Sequence, residues 1–226
     1  MFFRLADNTN PDSLASRLRR QRMELFLGLL RGVERPRILD VGGTPGMWQE
    51  CWSSLPPGSH VTLFNLHAND ASALPNAAAV RGDACDMRAF ADGAFDVAFS
   101  NSVIEHVGTF YDQMAMAREV RRVARGYFVQ TPNRWFPLEP HFLVPGWQFL
   151  PLWLRTRLLC WRDLGWAKRF SDPMLARAEA EQIRLLTARE FRYLFPDATV
   201  HRERLGPLAK SFIAVRPPAV ATVATS

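Results

Sequence analysis

The strand-like run Arg37-Ile38-Leu39-Asp40-Val41 leads straight into the turn Gly42-Gly43-Thr44-Pro45-Gly46 and then a helix through Trp48 and Trp52. Glycines between a strand and a helix let a ligand approach the backbone closely. The same alternation continues along the chain. Val61-Thr62-Leu63-Phe64-Asn65 reads as a second strand, Ala78-Ala79-Val80-Arg81 as a third and Phe95-Asp96-Val97-Ala98-Phe99 as a fourth. A helix is expected from about Tyr111 to Ala124, with Gly126 ending it and Tyr127-Phe128-Val129-Gln130 forming a fifth strand. Strands alternating with helices imply a mostly parallel sheet covered on both faces, a doubly wound α/β fold.

The flanks are read in the same way. Asn10, Pro11 and Asp12 form a helix-start signal, and Leu14, Leu18, Leu25 and Leu29 fall on one face of the helix that follows. From Pro132 to about Ser171 the alternation breaks. This stretch is rich in Pro, Trp, Phe and Leu, with arginines spaced through it. Thr187-Ala188-Arg189-Glu190 then opens a short helix with a capping box. Thr199-Val200-His201 and Ser211-Phe212-Ile213-Ala214-Val215 bring the strands to seven. One domain over 1–216 is expected, with 132–186 as an insert after strand five and 217–226 as a tail.

Composition narrows the function classes. Of 226 residues, 48% are hydrophobic and 22% charged, an ordinary globular balance that excludes a disordered chain. No uncharged apolar run reaches the length of a membrane-spanning helix, and Met1-Phe2-Phe3-Arg4 opens no secretion signal. Cys51, Cys85 and Cys160 are widely spaced and odd in number, so neither a disulfide framework nor a metal site is expected, and a cytoplasmic location fits them. The net charge of +6 comes almost wholly from arginine, Lys168 and Lys210 being the only lysines. With no nucleic-acid-binding module in view, nucleic acid is not an expected partner.

The glycine turn gains meaning from what surrounds it. Asp83 lies in Gly82-Asp83-Ala84, and the fourth strand runs on through Ser100-Asn101 to Glu105-His106-Val107. The fifth ends in Thr131-Pro132-Asn133. This succession, from about Pro36 to Asn133, resembles the class I S-adenosylmethionine-dependent methyltransferases, in particular the small-molecule (type 11) branch that includes ubiquinone-biosynthesis enzymes. The resemblance implies a Rossmann-like methyltransferase fold and S-adenosylmethionine as cofactor. Carried over position by position, it puts Asp40, Gly42, Gly43 and Gly46 in the turn that holds the methionine part. Asn65 and Leu66 fall at the ribose, Asp83 and the Ala84 amide at the adenine, Asn101 at the methionine end and His106 near the cofactor mouth. Thr44 stands where the family has its middle glycine, and Asn65 where it has an acid. An amide can still accept from one ribose hydroxyl and donate to the other. A nicotinamide dinucleotide site is disfavoured, because the Gly-x-Gly-x-x-Gly spacing is absent.

The methyl acceptor is read from two segments. Asn101-Ser102-Val103 is not the Asn/Asp-Pro-Pro-aromatic run of the family's amide and nucleobase methylators, so an O- or C-centred small molecule is expected. Trp135, Phe136, Phe142, Trp147, Phe149, Trp153, Trp161, Trp166 and Phe170 crowd the insert. They suit a lipophilic or aromatic acceptor; packing as a local subcore or a dimer contact is the competing reading. Interspersed Arg155, Arg157, Arg162, Lys168 and Arg169 leave open peripheral contact with an anionic membrane face. Glu139-Pro140-His141 follows the fifth strand, which makes His141 a candidate base with His106 as its rival. A methyltransferase-fold protein that binds the cofactor or a partner without catalysis is the alternative. Oligomeric state is left open.

Overall fold

The computed structural model describes residues 13–67 and 70–218. Helix α1 (Leu14–Leu29) leads to β1 (Arg37–Val41), α2 (Pro45–Cys51), β2 (His60–Asn65) and β3 (Ala77–Arg81). Then come β4 (Phe95–Asn101), α3 (Phe110–Val123) and β5 (Ala124–Pro132). Helices α4 (Leu152–Trp161) and α5 (Pro173–Glu181) occupy the segment after β5. The chain closes with α6 (Ala188–Leu194), β6 (Thr199–Leu205) and β7 (Leu208–Arg216).

The seven strands form one sheet in the order β3-β2-β1-β4-β5-β7-β6. All neighbours are parallel up to β5, and β7 runs antiparallel to both β5 and β6. The strand order reverses beside β1, which pairs with β2 on one side (Ile38 opposite Val61) and β4 on the other (Ile38 opposite Val97). A crevice opens at the carboxyl ends of the strands at such a reversal.

Alternating side chains feed two cores. Leu39, Val41 and Val129 pack with Met116, Val120 and Phe191 on the α3/α6 face. Ile38, Val97, Phe99 and Phe128 pack with Phe26, Leu30 and Trp48 on the α1/α2 face. Asp40 has the parity of Ile38, so its carboxyl turns toward Trp48 on this second face.

Two elements differ from expectation. Helix α1 begins at Leu14 with Ser13 as N-cap, its side chain accepting from the Ser16 amide; the Asn10, Pro11 and Asp12 signal lies outside the described residues. Its buried stripe is Leu18, Phe26 and Leu30, with Leu25 and Leu29 only half-buried. Gly126 does not end α3. Strand β5 starts directly at Ala124, and Gly126 sits within it because a Cβ there would meet Pro218 N at 2.4 Å and Arg216 O at 2.7 Å. The insert divides its aromatics: Phe142 and Trp147 build a third core with Leu159, Leu164, Ala176 and Ala180, whereas Trp135, Phe149, Trp153, Trp161 and Trp166 remain exposed. No helix among the described residues is long and apolar enough to cross a membrane. The expected tail lies mostly outside the described residues.

Candidate active site

A cavity of about 560 Å3 occupies the crevice at the ends of β1, β4 and β5. At one end it is walled by Asp40, Val41 and the turn Gly42-Gly43-Thr44, with Asn101, Ser102 and Val103 beside them. Gly42 has φ +81°, and a Cβ on it would lie 2.5 Å from the Val103 side chain. A Cβ on Gly43 would lie 1.5 Å from Asp40 Oδ2. Only glycine fits at either position, so the turn presents bare backbone to the cavity.

Asp40 is buried and accepts a hydrogen bond from Trp48 Nε1 at 2.6 Å. Burial raises its pKa to about 7, partly offset by that bond. Asn65, at the end of β2, donates through Nδ2 to the Gly42 and Gly43 carbonyls at 3.3 and 3.4 Å. It therefore ties the turn down from behind.

A charged side chain in the apolar stripe of α1 supplies the cation. Arg22 donates from Nη1 to Asn101 Oδ1 at 2.6 Å and to Gln130 Oε1 at 3.1 Å, and its Nε lies 3.1 Å from Glu203 Oε1. Glu203 also accepts from Ser211 Oγ at 2.7 Å and faces Lys210 Nζ at 3.8 Å. Arg19, Arg22 and Lys210 all line the cavity, so its wall carries more cationic than anionic groups. Ser102 and Leu143, also on the wall, hold φ values of +57° and +53°. Strained non-glycine backbone of this kind concentrates at functional sites.

The far wall comes from the insert. Phe136, Leu138, Leu143 and Trp166 line it together with His141. Glu139 is buried. Its Oε2 accepts from the backbone amides of His141 and Phe142, and its Oε1 lies 2.5 Å from His141 Nδ1. Burial lowers the His141 pKa, but Glu139 and Glu105 outweigh it and the net shift is upward. The His106 ring meets His141 edge-on, with centroids 4.8 Å apart. Desolvation where its ring packs on the site, and then His141, push the His106 pKa down.

The expected site residues divide into two groups. Asp40, Gly42, Gly43, Asn101 and His141 come together on the cavity wall. Gly46 lies inside α2, and Asn65, Leu66, Asp83, Ala84 and His106 stand outside that lining. Leu66 is exposed and its carbonyl accepts from Arg81; Asp83 accepts from the Cys85 amide at 2.8 Å. Arg19, Arg22, Gln130 and Lys210 went unread in the sequence. For Arg22 there was a signal, its i+4 spacing between Leu18 and Phe26.

The strand order and its crevice define the chain as a protein of the class I methyltransferase fold. Residues 39–129 match a family model described as a methyltransferase domain (type 11). No curated protein matches the sequence. Among solved structures, the 1,6-didemethyltoxoflavin-N1-methyltransferase of Burkholderia thailandensis, with 1,6-didemethyltoxoflavin and S-adenosylhomocysteine bound, is similar at 12% identity and a TM-score of 0.54. The match covers 88% of this chain and 76% of that one. The YcgJ protein of Bacillus subtilis is similar at 16% identity and a TM-score of 0.50, over 82% of this chain and 71% of that one. At these identities the likeness is one of fold. The chain spans 58% and 46% of the length of two larger structures that it matches, from Nostoc punctiforme and Galdieria sulphuraria.

Proposed function

We propose that the chain transfers a methyl group from S-adenosylmethionine to an oxygen or carbon of a small, lipophilic or aromatic acceptor. One observation carries this reading. A single cavity is bare backbone and cation at its β1/β4 end, and apolar with one imidazole at its other end. Its volume is in the range of small-molecule sites.

The residues present fit the cofactor. Gly42 and Gly43 leave a cradle that any Cβ would fill. The Arg22 guanidinium, with Arg19 near it, matches the carboxylate of the methionine part, and Asn101 is held beside it. Asp40, through Trp48, keeps the turn in shape. Asn65 and Leu66 at the end of β2, and Asp83 and Ala84 after β3, are assigned to the nucleoside part by their place on the adjoining strand ends. The bound cofactor supplies a methyl on a sulfonium, and its displacement requires a nucleophile held in line.

On the acceptor side, Phe136, Leu138, Leu143 and Trp166 exclude water and hold an apolar molecule. For a hydroxyl acceptor we assign proton removal to His141, with Glu139 holding the ring in one tautomer. His106 supports the ring edge-on. A lipophilic acceptor also accords with the exposed Trp153 and Trp161 beside Arg157 and Arg162, a surface suited to anionic lipid headgroups.

The test is methyl-labelled S-adenosylmethionine incubated with the protein and a cell extract, with labelled product identified by mass spectrometry. Label is expected in a small molecule, and His141→Ala is expected to lower turnover by roughly 10²–10⁴-fold at unchanged cofactor affinity. Cofactor binding with no labelled product would favour the non-catalytic alternative, and near wild-type turnover in His141→Ala would remove that residue from the chemistry.

A further inference from the structure

Beside the cavity, Glu105, His106 and His141 each offer one ligand atom, and the three atoms lie within 4.8 Å of one another. Glu105 is fully buried. Its Oε2 accepts from Thr131 Oγ1 at 2.9 Å, whereas Oε1 has no hydrogen-bond partner. A buried carboxylate oxygen left unpaired carries a desolvation penalty that a nearby cation would offset.

The surroundings favour a metal ion over a proton as that cation. His141 Nδ1 is engaged by Glu139 Oε1, which turns its Nε2 to the other side. Metal-ligating histidines are held in just this way, by a carboxylate on the far nitrogen. Thr131 likewise orients Glu105. The His106 ring keeps an exposed edge, which gives an ion a path from solvent. Ligands sharing one cation at about 2.1 Å sit about 3–4 Å apart. The cluster is about 1 Å wider than that, a difference that rotation of the exposed His106 ring closes.

We propose that Glu105, His106 and His141 bind one divalent transition-metal ion, with Glu139 and Thr131 as its outer supports. Two imidazoles and one carboxylate suit zinc or manganese. No metal site was expected from the sequence, because the cysteines do not cluster and these three ligands meet only in the fold. The binding itself is independent of the methyl-transfer reading. Its consequence rests on that reading: an ion against His141 would meet an acceptor hydroxyl at the cavity wall and favour loss of its proton, so that in the metal-bound protein His141 is a ligand and the role of base assigned to it above belongs to the metal-free form.

The experiment uses the full chain, freed of metal by chelation and titrated calorimetrically with Zn2+ alone and Mn2+ alone, with bound Mn2+ followed by electron paramagnetic resonance. One equivalent is expected to bind. His106→Ala, at an exposed position, should abolish that site while the circular dichroism melt of the metal-free protein stays unchanged. Glu139→Gln should weaken binding roughly 10–100-fold. If neither ion binds at one equivalent, or if His106→Ala binds as tightly as wild type, the proposal is overturned. Methyl transfer plays no part in these readouts, so failure here leaves the activity assignment standing, and failure of the activity assay leaves the metal site standing.

Discussion

Arg22 Nη1 donates to Asn101 Oδ1 at 2.6 Å, joining the first helix to the end of the fourth strand at the cavity wall. On its other side the same guanidinium pairs with Glu203, whose side chain is 6% exposed. One cation thus holds both the polar end of the site and a buried carboxylate. Arg22→Met should lower unfolding stability by about 3–5 kcal/mol, because Glu203 is left buried with the more distant Lys210 as its cation and the Ser211 hydroxyl as its donor. Arg22→Met with Glu203→Gln should recover most of that loss. Urea denaturation of the single and double variants checks it, and equal losses in both would mean that charge burial is not the cause.

The turn makes opposite demands on two of its glycines. A methyl group on Gly43 would overlap Asp40 Oδ2, whereas one on Gly46 meets nothing within 4 Å. Gly43→Ala is therefore expected to displace the turn and cut S-adenosylmethionine affinity at least tenfold. Gly46→Ala, within α2, should leave the affinity intact and add up to about 1 kcal/mol of stability. Calorimetric titration of the two folded variants decides the matter; similar affinities would detach the turn from the cofactor.

Asp40 makes stability depend on pH. Burial raises its pKa from 3.8 to about 7 in the folded chain, so the native state binds the proton more tightly than the unfolded chain does. Its contribution is fully present below about pH 4 and is lost as pH rises through 7. By order of magnitude this is about 4 kcal/mol over that window. Asp40→Asn keeps an oxygen for Trp48 Nε1 and should reduce the slope between pH 4 and 7, the remainder coming from Glu105, which burial also raises to about 7. Denaturation midpoints across that range would show it, and a slope unchanged in the variant would clear Asp40 of responsibility.

The insert's tryptophans should separate by burial. Trp147 is 2% exposed against Phe142, so Trp147→Ala is expected to cost about 3–5 kcal/mol. Trp153 and Trp161 are each 66% exposed, and alanine there should change stability by less than about 0.5 kcal/mol. If that surface meets lipid, the Trp153→Ala/Trp161→Ala variant should lose flotation with phosphatidylserine vesicles at low salt. Flotation equal to wild type would assign the two rings no part in membrane contact.

Local chemistry made much of the architecture legible. Short β-rich runs, the glycine turn and the Thr187 capping box depend on neighbours within a few residues, and each element appears close to its expected bounds. The two closing strands were legible as strands, whereas their antiparallel pairing, β7 between β5 and β6, appears only in the fold. Gly126 was misread for a physical reason. Its need for glycine comes from the backbone of Pro218 and Arg216, about ninety residues away, and a helix C-cap is only the commonest local cause of such a residue.

The site was legible only along the strand ends. The sequence by itself determined the α/β alternation, the bare turn at Gly42 and Gly43, and a Glu139-His141 pair two residues apart, because spacing and side-chain type suffice for those. Only the tertiary structure decided that Arg22 reaches Asn101, Gln130 and Glu203 across separations of 79, 108 and 181 residues. It also brought Glu105 and His106 to His141 and divided the tryptophans between core and surface. The charge in the apolar stripe of α1 shows in its spacing, but its partners, like the surroundings of the buried Glu105 carboxylate, are supplied by strands and helices that meet only when the sheet closes.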